Sequence, residues 1–246
     1  MNKVMETNTK KYNLIKSSSR GHADHRWLKS SHSFSFANYY DPERIHFGAL
    51  RVLNDDYVAP GKGFGKHPHD NMEIISIPLS GELKHGDSMG NTTIIKEGEV
   101  QVMSAGTGII HSEMNNRADL AVEFLQIWVF PDKSNVKPRY DQKLINKERV
   151  TNRLGQIVSP NEGDEGVWIH QQAWFHLGEF IDNQKIDYTL KKNQNGIYIF
   201  LLEGEATVDG HKLNKRDALA VTEAKTISID INKNSKILVI EVPMAW

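Results

Sequence analysis

Residues 61–115 read GKGFGKHPHDNMEIISIPLSGELKHGDSMGNTTIIKEGEVQVMSAGTGIIHSEMN. Two short pairs stand in this stretch, His67-Pro68-His69 and His111-Ser112-Glu113. In a β-strand, residues i and i+2 point to the same face, about 6.6 Å apart along the chain. Each pair therefore aims two donor atoms into one space, and two such strands across a barrel bring three imidazoles and one carboxylate to a common point. That donor set suits a divalent first-row transition metal and leaves coordination positions open. A single pair says little, because strand histidines are commonly packed or solvent-facing. Two pairs separated by a complete hairpin point to a metal site.

Glu73 competes with Glu113 for the fourth position. It follows His69 by four residues with the same strand parity, so it also faces inward. On a straight strand it stands about 13 Å along the chain from His69, and sharing an ion would need a sharp bend near Asn71 and Met72. Glu113 needs no bend. It is the expected fourth ligand. Glu73 is then expected to accept a hydrogen bond from a ligand imidazole, a common way of orienting metal-bound histidine.

Outward from this centre the chain reads as short strands and turns. HSFSFANYYDP (32–42) alternates Phe34 and Phe36 as a half-buried strand, stopped by Asp41-Pro42. FGALRVL (47–53) is a second strand, with Asn54-Asp55-Asp56 as its turn. PGKGFG (60–65) is followed by neither a helix nor GK[ST], which excludes a phosphate cradle; it reads as a loop bringing backbone close to the ligand pair. Strands are expected over 73–79, 98–103 and 121–130, with turns at Ser80-Gly81, 87–91 and 105–108. His85 is expected to be a hairpin side chain, His22 and His25 a surface pair, and His170 and His176 packing or surface residues. Phe47, Met72, Phe124 and Trp128 are candidates to line an apolar slot, although each taken singly reads more readily as core.

The segment 134–155 is charged and poor in large apolar residues, and is expected to connect two domains. After it, short strands resume at 8–12-residue spacing with Asn195-Gly196, Glu203-Gly204 and Asp209-Gly210 turns. IYIFLLEGE (197–205) faintly repeats IISIPLSGE (74–82), without the histidines. The expectation is an all-β chain of two antiparallel β-barrels with few short helices. It divides into a flexible arm (1–20), a metal-bearing barrel (21–140) and a scaffold barrel without metal ligands (141–246).

Composition narrows the function classes. Lys and Arg total 30 against 31 Asp and Glu, so there is no electrostatic case for nucleic acid or a membrane surface. The absence of cysteine excludes thiolate ligands and disulfides. No apolar signal segment opens the chain and no run approaches the ~18 apolar residues of a membrane span. A cytoplasmic location is expected.

HSFSFANYYDP, GFGKHPHDNMEI, HGDSMGN and MSAGTGIIHSEMN together resemble the signature of the pirin family of the cupin superfamily, in its bacterial quercetinase-like branch. The resemblance covers residues 32–42 and 61–115. It implies a bicupin fold with one mononuclear metal, carried by His67, His69, His111 and Glu113. Iron is the first choice of metal, with Mn, Ni, Co, Cu or Zn as alternatives. It further implies a quercetin 2,3-dioxygenase activity on a flavonol-like aromatic substrate with O₂. In an enzyme of that kind Glu113 is also the expected catalytic group, as acceptor of a substrate proton. The rival reading is a metal-binding, redox-linked regulatory protein with a protein partner and no turnover. A third is a zinc-type hydrolase or isomerase.

Overall fold

The computed structural model describes residues 10–245. Its first half contains β1 (Lys11–Ile15), β2 (Gly21–Asp24), β3 (Leu28–His32), β4 (Leu50–Val58), β5 (Gly63–His69), β6 (Glu73–Ser80), β7 (Glu82–Asp87), β8 (Thr92–Lys96), β9 (Glu99–Ser104), β10 (Ile109–Asn115), β11 (Val122–Val129) and β12 (Arg139–Leu144). The second half contains β13 (Gly155–Ser159), β14 (Val167–Trp168), β15 (Trp174–Phe180), β16 (Gln184–Thr189), β17 (Asn195–Glu203), β18 (Glu205–Val208), β19 (His211–Asn214), β20 (Ala218–Thr222), β21 (Thr226–Ile231) and β22 (Ser235–Pro243). Among the described residues, helix is confined to α1 (Lys147–Val150) and a 3₁₀ turn at Ser17–Ser19. The chain is all-β, and its strand ladders are antiparallel except β13 with β14.

Each half builds one seven-stranded and one four-stranded sheet, with β1 from the first half completing the seven-stranded sheet of the second. The first half gives β12-β9-β6-β11-β4-β3-β2 and β5-β10-β7-β8; the second gives β1-β20-β17-β22-β15-β13-β14 and β16-β21-β18-β19. The two seven-stranded sheets share one apolar core, in which Ile75, Ile77, Leu125 and Ile127 meet Phe175, Phe200, Leu238 and Ile240. On their far faces each packs against its own four-stranded sheet. Val58 and Phe124 meet Leu83 and Ile95 in the first half, and Ile199 and Val239 meet Val208 and Ile229 in the second. The four sheets therefore stack as four layers. This layering explains the near-continuous apolar runs of β6 and β11, since a strand buried on both faces cannot alternate with polar residues.

Several local expectations are corrected. The strand near residue 32 is Leu28–His32, not 32–42. Ser33, Phe34 and Ser35 are all buried, and Ala37 at φ 49° reverses the chain, so Phe36 and Tyr39 exchange both backbone hydrogen bonds. Asn54-Asp55-Asp56 is not a turn but the middle of β4. Tertiary partners overrode the turn chemistry: Asn54 Oδ1 lies 2.9 Å from His32 Nδ1, Asp56 accepts from Ser30 Oγ, and Asp55 faces Arg20 and Arg216.

The segment 134–155 is more than a connection, because it contains β12, α1 and the start of β13. A boundary at 140/141 falls inside β12, which is fully laddered onto β9. Of the expected arm, residues 1–9 lie outside the described residues. Lys11–Ile15 is an added strand on β20, held through Lys10, Tyr12 and Lys16 to Asp209 and Asp217. In the second sheet β1 thus occupies the edge that β12 occupies in the first.

Candidate metal centre

The histidine pairs come together on neighbouring strands of one sheet rather than on opposite walls. His111 of β10 lies directly opposite His67 of β5, and Ile109 opposite His69. Between His111 and Glu113 the register shifts, so that the two-residue step from 111 to 113 faces the three-residue step from 67 to 64. The extra residue falls in the glycine-rich stretch and forms a bulge, a device that re-aims side chains. It also leaves the Gly65 carbonyl 2.7 Å from His67 Nδ1. That carbonyl can only accept, so Nδ1 carries the proton and Nε2 is free as a ligand. Gly63 to Gly65 belong to β5 rather than to a loop, and Gly63 lies so close to β10 that a Cβ there would fall 2.3 Å from the Glu113 carbonyl oxygen.

One donor nitrogen from each of His67, His69 and His111 can be chosen so that all lie within 4.8 Å of one another. His111 is 2% exposed, and neither of its ring nitrogens has a hydrogen-bond partner. A buried imidazole with both nitrogens orphaned is costly unless a ligand satisfies one of them, and an ion between the three rings does so. Burial, with the neighbouring imidazoles of His67 and His69, pushes the His111 pKa down to about 3. Burial and then His67 push that of His69 down to about 4. At neutral pH both rings are neutral, the form a metal requires. The donor set fits a divalent ion.

Glu113 is 1% exposed and lies outside that close triad, with its carboxylate held from the opposite sheet. Ser76 Oγ of β6 donates to Oε1 at 2.9 Å, and Gln126 Nε2 of β11 donates to Oε2 at 3.1 Å. Burial raises its pKa, opposed by Ser76, His85, His67 and Gln126. Ser76 and Gln126 went unread in the sequence. Their signal was a lone polar residue within each of two otherwise apolar strands, IISIP and FLQIW.

Glu73 is on another strand altogether. Asn71, at φ 45°, turns the chain after His69, so β5 and β6 join different sheets. The Glu73 carboxylate accepts from Ser104 Oγ at 2.7 Å and from the His170 backbone, and faces Arg139. No ligand imidazole donates to it, contrary to expectation; it belongs to the seam with the second half. Burial pushes its pKa up to about 7.

His85 is a side chain of the β7–β8 hairpin, as expected, and is fully buried, its Nε2 3.0 Å from Asp87 Oδ2. His85 and Asp87 repeat the same i, i+2 spacing as the ligand pairs, a signal that the reading passed over. Of the proposed slot, Trp128 reaches the triad, its ring 4.9 Å from that of His69 and 5.4 Å from Phe36. Met72 packs beside it, whereas Phe124 is core between the sheets and Phe47 packs on Tyr198 between the halves. His22 and His25 are exposed, and His176 is packed against Tyr188.

The model of the family described as Pirin matches residues 14–129, and that of the quercetinase C-terminal cupin domain matches residues 156–242. The chain is 38% identical over 230 residues to a quercetin 2,3-dioxygenase of Escherichia coli, covering 94% of this chain and 98% of that protein. Among solved structures it is similar to the bacterial pirin YhhW of Escherichia coli in complex with nickel(II). That structure gives a TM-score of 0.89 at 37% identity, over 95% of this chain and 99% of that one. A quercetin 2,3-dioxygenase from Acinetobacter baumannii shares the fold, with a TM-score of 0.74 at 20% identity over 95% of this chain and 79% of that one.

Proposed function

The chain belongs to the pirin family, and from that premise we propose that it is a metal-dependent dioxygenase opening the heterocyclic ring of quercetin-like flavonols with O₂ and releasing carbon monoxide. We read each pair of sheets as one cupin barrel, with the chemistry in the first. His67, His69, His111 and Glu113 would hold one divalent ion, iron first and nickel next, the latter being the metal of the similar Escherichia coli structure. A bound divalent ion supplies acidification of a coordinated hydroxyl and, where redox-active, electron transfer to O₂.

The residues of the chain supply the rest. Gly65 fixes the tautomer of His67, and Ser76 and Gln126 fix the Glu113 carboxylate. Glu113, whose neutral form burial favours, is the group to take the proton of the substrate's 3-hydroxyl. Trp128, with Phe36 against it, offers an aromatic wall beside His69 for a flat substrate.

The observation that carries this reading is the convergence of three imidazoles around the orphaned nitrogens of His111. Oxygen uptake with a panel of flavonols, on protein of measured metal content, tests it. Uptake that scales with metal content and consumes the flavonol supports the enzyme. A fully loaded protein without uptake on any flavonol would instead favour a metal-bearing binding protein.

A further inference from the structure

We infer that His85, held by Asp87, is a positioning residue of the metal centre: in the resting site its Nδ1 accepts a hydrogen bond from the water in the open coordination position. The inference rests on the metal-site reading above, but not on dioxygenase turnover.

His85 lies on β7 directly opposite Glu113, with its ring 5.5 Å from that of His111. Its parity is that of Leu83, which packs into the core between the two sheets of the first half, so His85 also faces that interior. Its Nε2 faces Asp87 Oδ2 at 3.0 Å. Asp87 is itself immobilised: the backbone N–H groups of Met89 and Asn91 donate to Oδ1 at 2.9 and 3.1 Å, and Asn91 Nδ2 donates to Oδ2 at 2.8 Å. In the neutral imidazole a carboxylate so placed accepts the Nε2 proton, and Nδ1 is then the nitrogen with a free lone pair.

That Nδ1 is buried and has no hydrogen-bond partner. The neighbouring Tyr140 ring, 4.7 Å away, cannot supply one, because its hydroxyl is engaged with Thr93 and Gln142. Buried polar atoms in folded chains are nearly always paired, and an orphaned acceptor beside a candidate metal site marks where a donor on the bound ligand belongs. A purely structural histidine would be expected to have this nitrogen paired within the fold.

The test uses the full chain loaded with Mn(II), with exchange of metal-bound water followed by ¹⁷O NMR and Mn(II) affinity measured by chelator competition. His85→Asn places an amide oxygen near the position of Nδ1. His85→Gln reaches toward Asp87 and leaves nothing at Nδ1. Water exchange is expected to be about five-fold faster in His85→Gln, the factor an ordinary hydrogen bond carries, and near the wild-type rate in His85→Asn. Mn(II) affinity is expected to be unchanged in both. Equal exchange rates in all three proteins, or rescue by Gln rather than Asn, would overturn the inference. So would loss of Mn(II) from both variants, which would make His85 a ligand or a fold support. A wild-type chain that holds no Mn(II) removes the metal-site reading and this inference together. Failure of oxygen uptake alone leaves the inference standing.

Discussion

Gln126 Nε2 donates to Glu113 Oε2 at 3.1 Å from a strand of the facing sheet, so the carboxylate is held across the gap between the two layers. Ser76 does the same for Oε1 at 2.9 Å from the adjacent strand. The geometry of the centre therefore depends on the packing of two sheets, not on β10 alone.

Removing both donors tests that dependence. Ser76→Ala with Gln126→Met is expected to weaken metal binding about 10–100-fold, the range for groups that orient ligands, while far-UV circular dichroism is unchanged. Wild-type affinity in the folded double variant would mean that Glu113 needs no anchoring.

Glu113 and Glu73 should separate in a metal titration. Glu113→Gln is expected to lose affinity and oxygen uptake together. Glu73→Gln, whose carboxylate contacts Ser104 and the second half, should keep most of its metal. The reverse pattern would exchange the roles of the two carboxylates.

Glu73 should also leave a pH signature on the stability of the metal-free protein. Burial raises its pKa from an ordinary 4.5 to about 7. The folded state then binds this proton more tightly than the unfolded state, so the contribution is fully present below about 4.5 and is lost as pH rises through about 7. Between about pH 4 and pH 8, wild type should lose roughly 3 kcal/mol relative to Glu73→Gln. Asp56, also raised to about 7 by burial, is common to both proteins and cancels in the difference. Parallel urea-denaturation profiles across that range would contradict the assignment.

Metal stoichiometry should not exceed one equivalent per chain. Where β10 presents His111 and Glu113 between β5 and β7, the matching strand β21 presents Ile227, Ile229 and Ile231 between β16 and β18, packed in apolar core. Two tightly held equivalents that survive His67→Ala would refute this.

Gly63 is expected to tolerate no side chain. A Cβ there would fall 2.3 Å from the Glu113 carbonyl oxygen and 2.5 Å from Met114 Cα, both backbone atoms of the ligand strand. Gly63→Ala should cost about 1–3 kcal/mol in chemical denaturation, as overpacking does. Gly65→Ala, which meets nothing within 4 Å, should cost less than about 0.5 kcal/mol. Equal costs at the two positions would count against the close approach.

What the sequence by itself determined was the spacing of the pairs His67/His69 and His111/Glu113 and the all-β class. Both rest on geometry within one strand: His67 and His69 share a face because their spacing is two, wherever the strand ends up. The pirin-type motifs were legible for the same reason, as contiguous words. The loss of alternation in β6 and β11 was also visible, though its meaning, burial on both faces with Ser76 and Gln126 turned toward Glu113, was not.

Only the tertiary structure decided which residues meet. Asn71 in the left-handed region sends His69 and Glu73 into different sheets, which strand parity counted along one chain could not show. Asn54 and Asp56 carry turn chemistry, yet His32 and Ser30 hold them in a strand, and Phe36 reaches Trp128 from a loop rather than from a strand. In each case the deciding free energy comes from partners distant in the chain, and a pattern read over a few neighbouring residues contains no record of them.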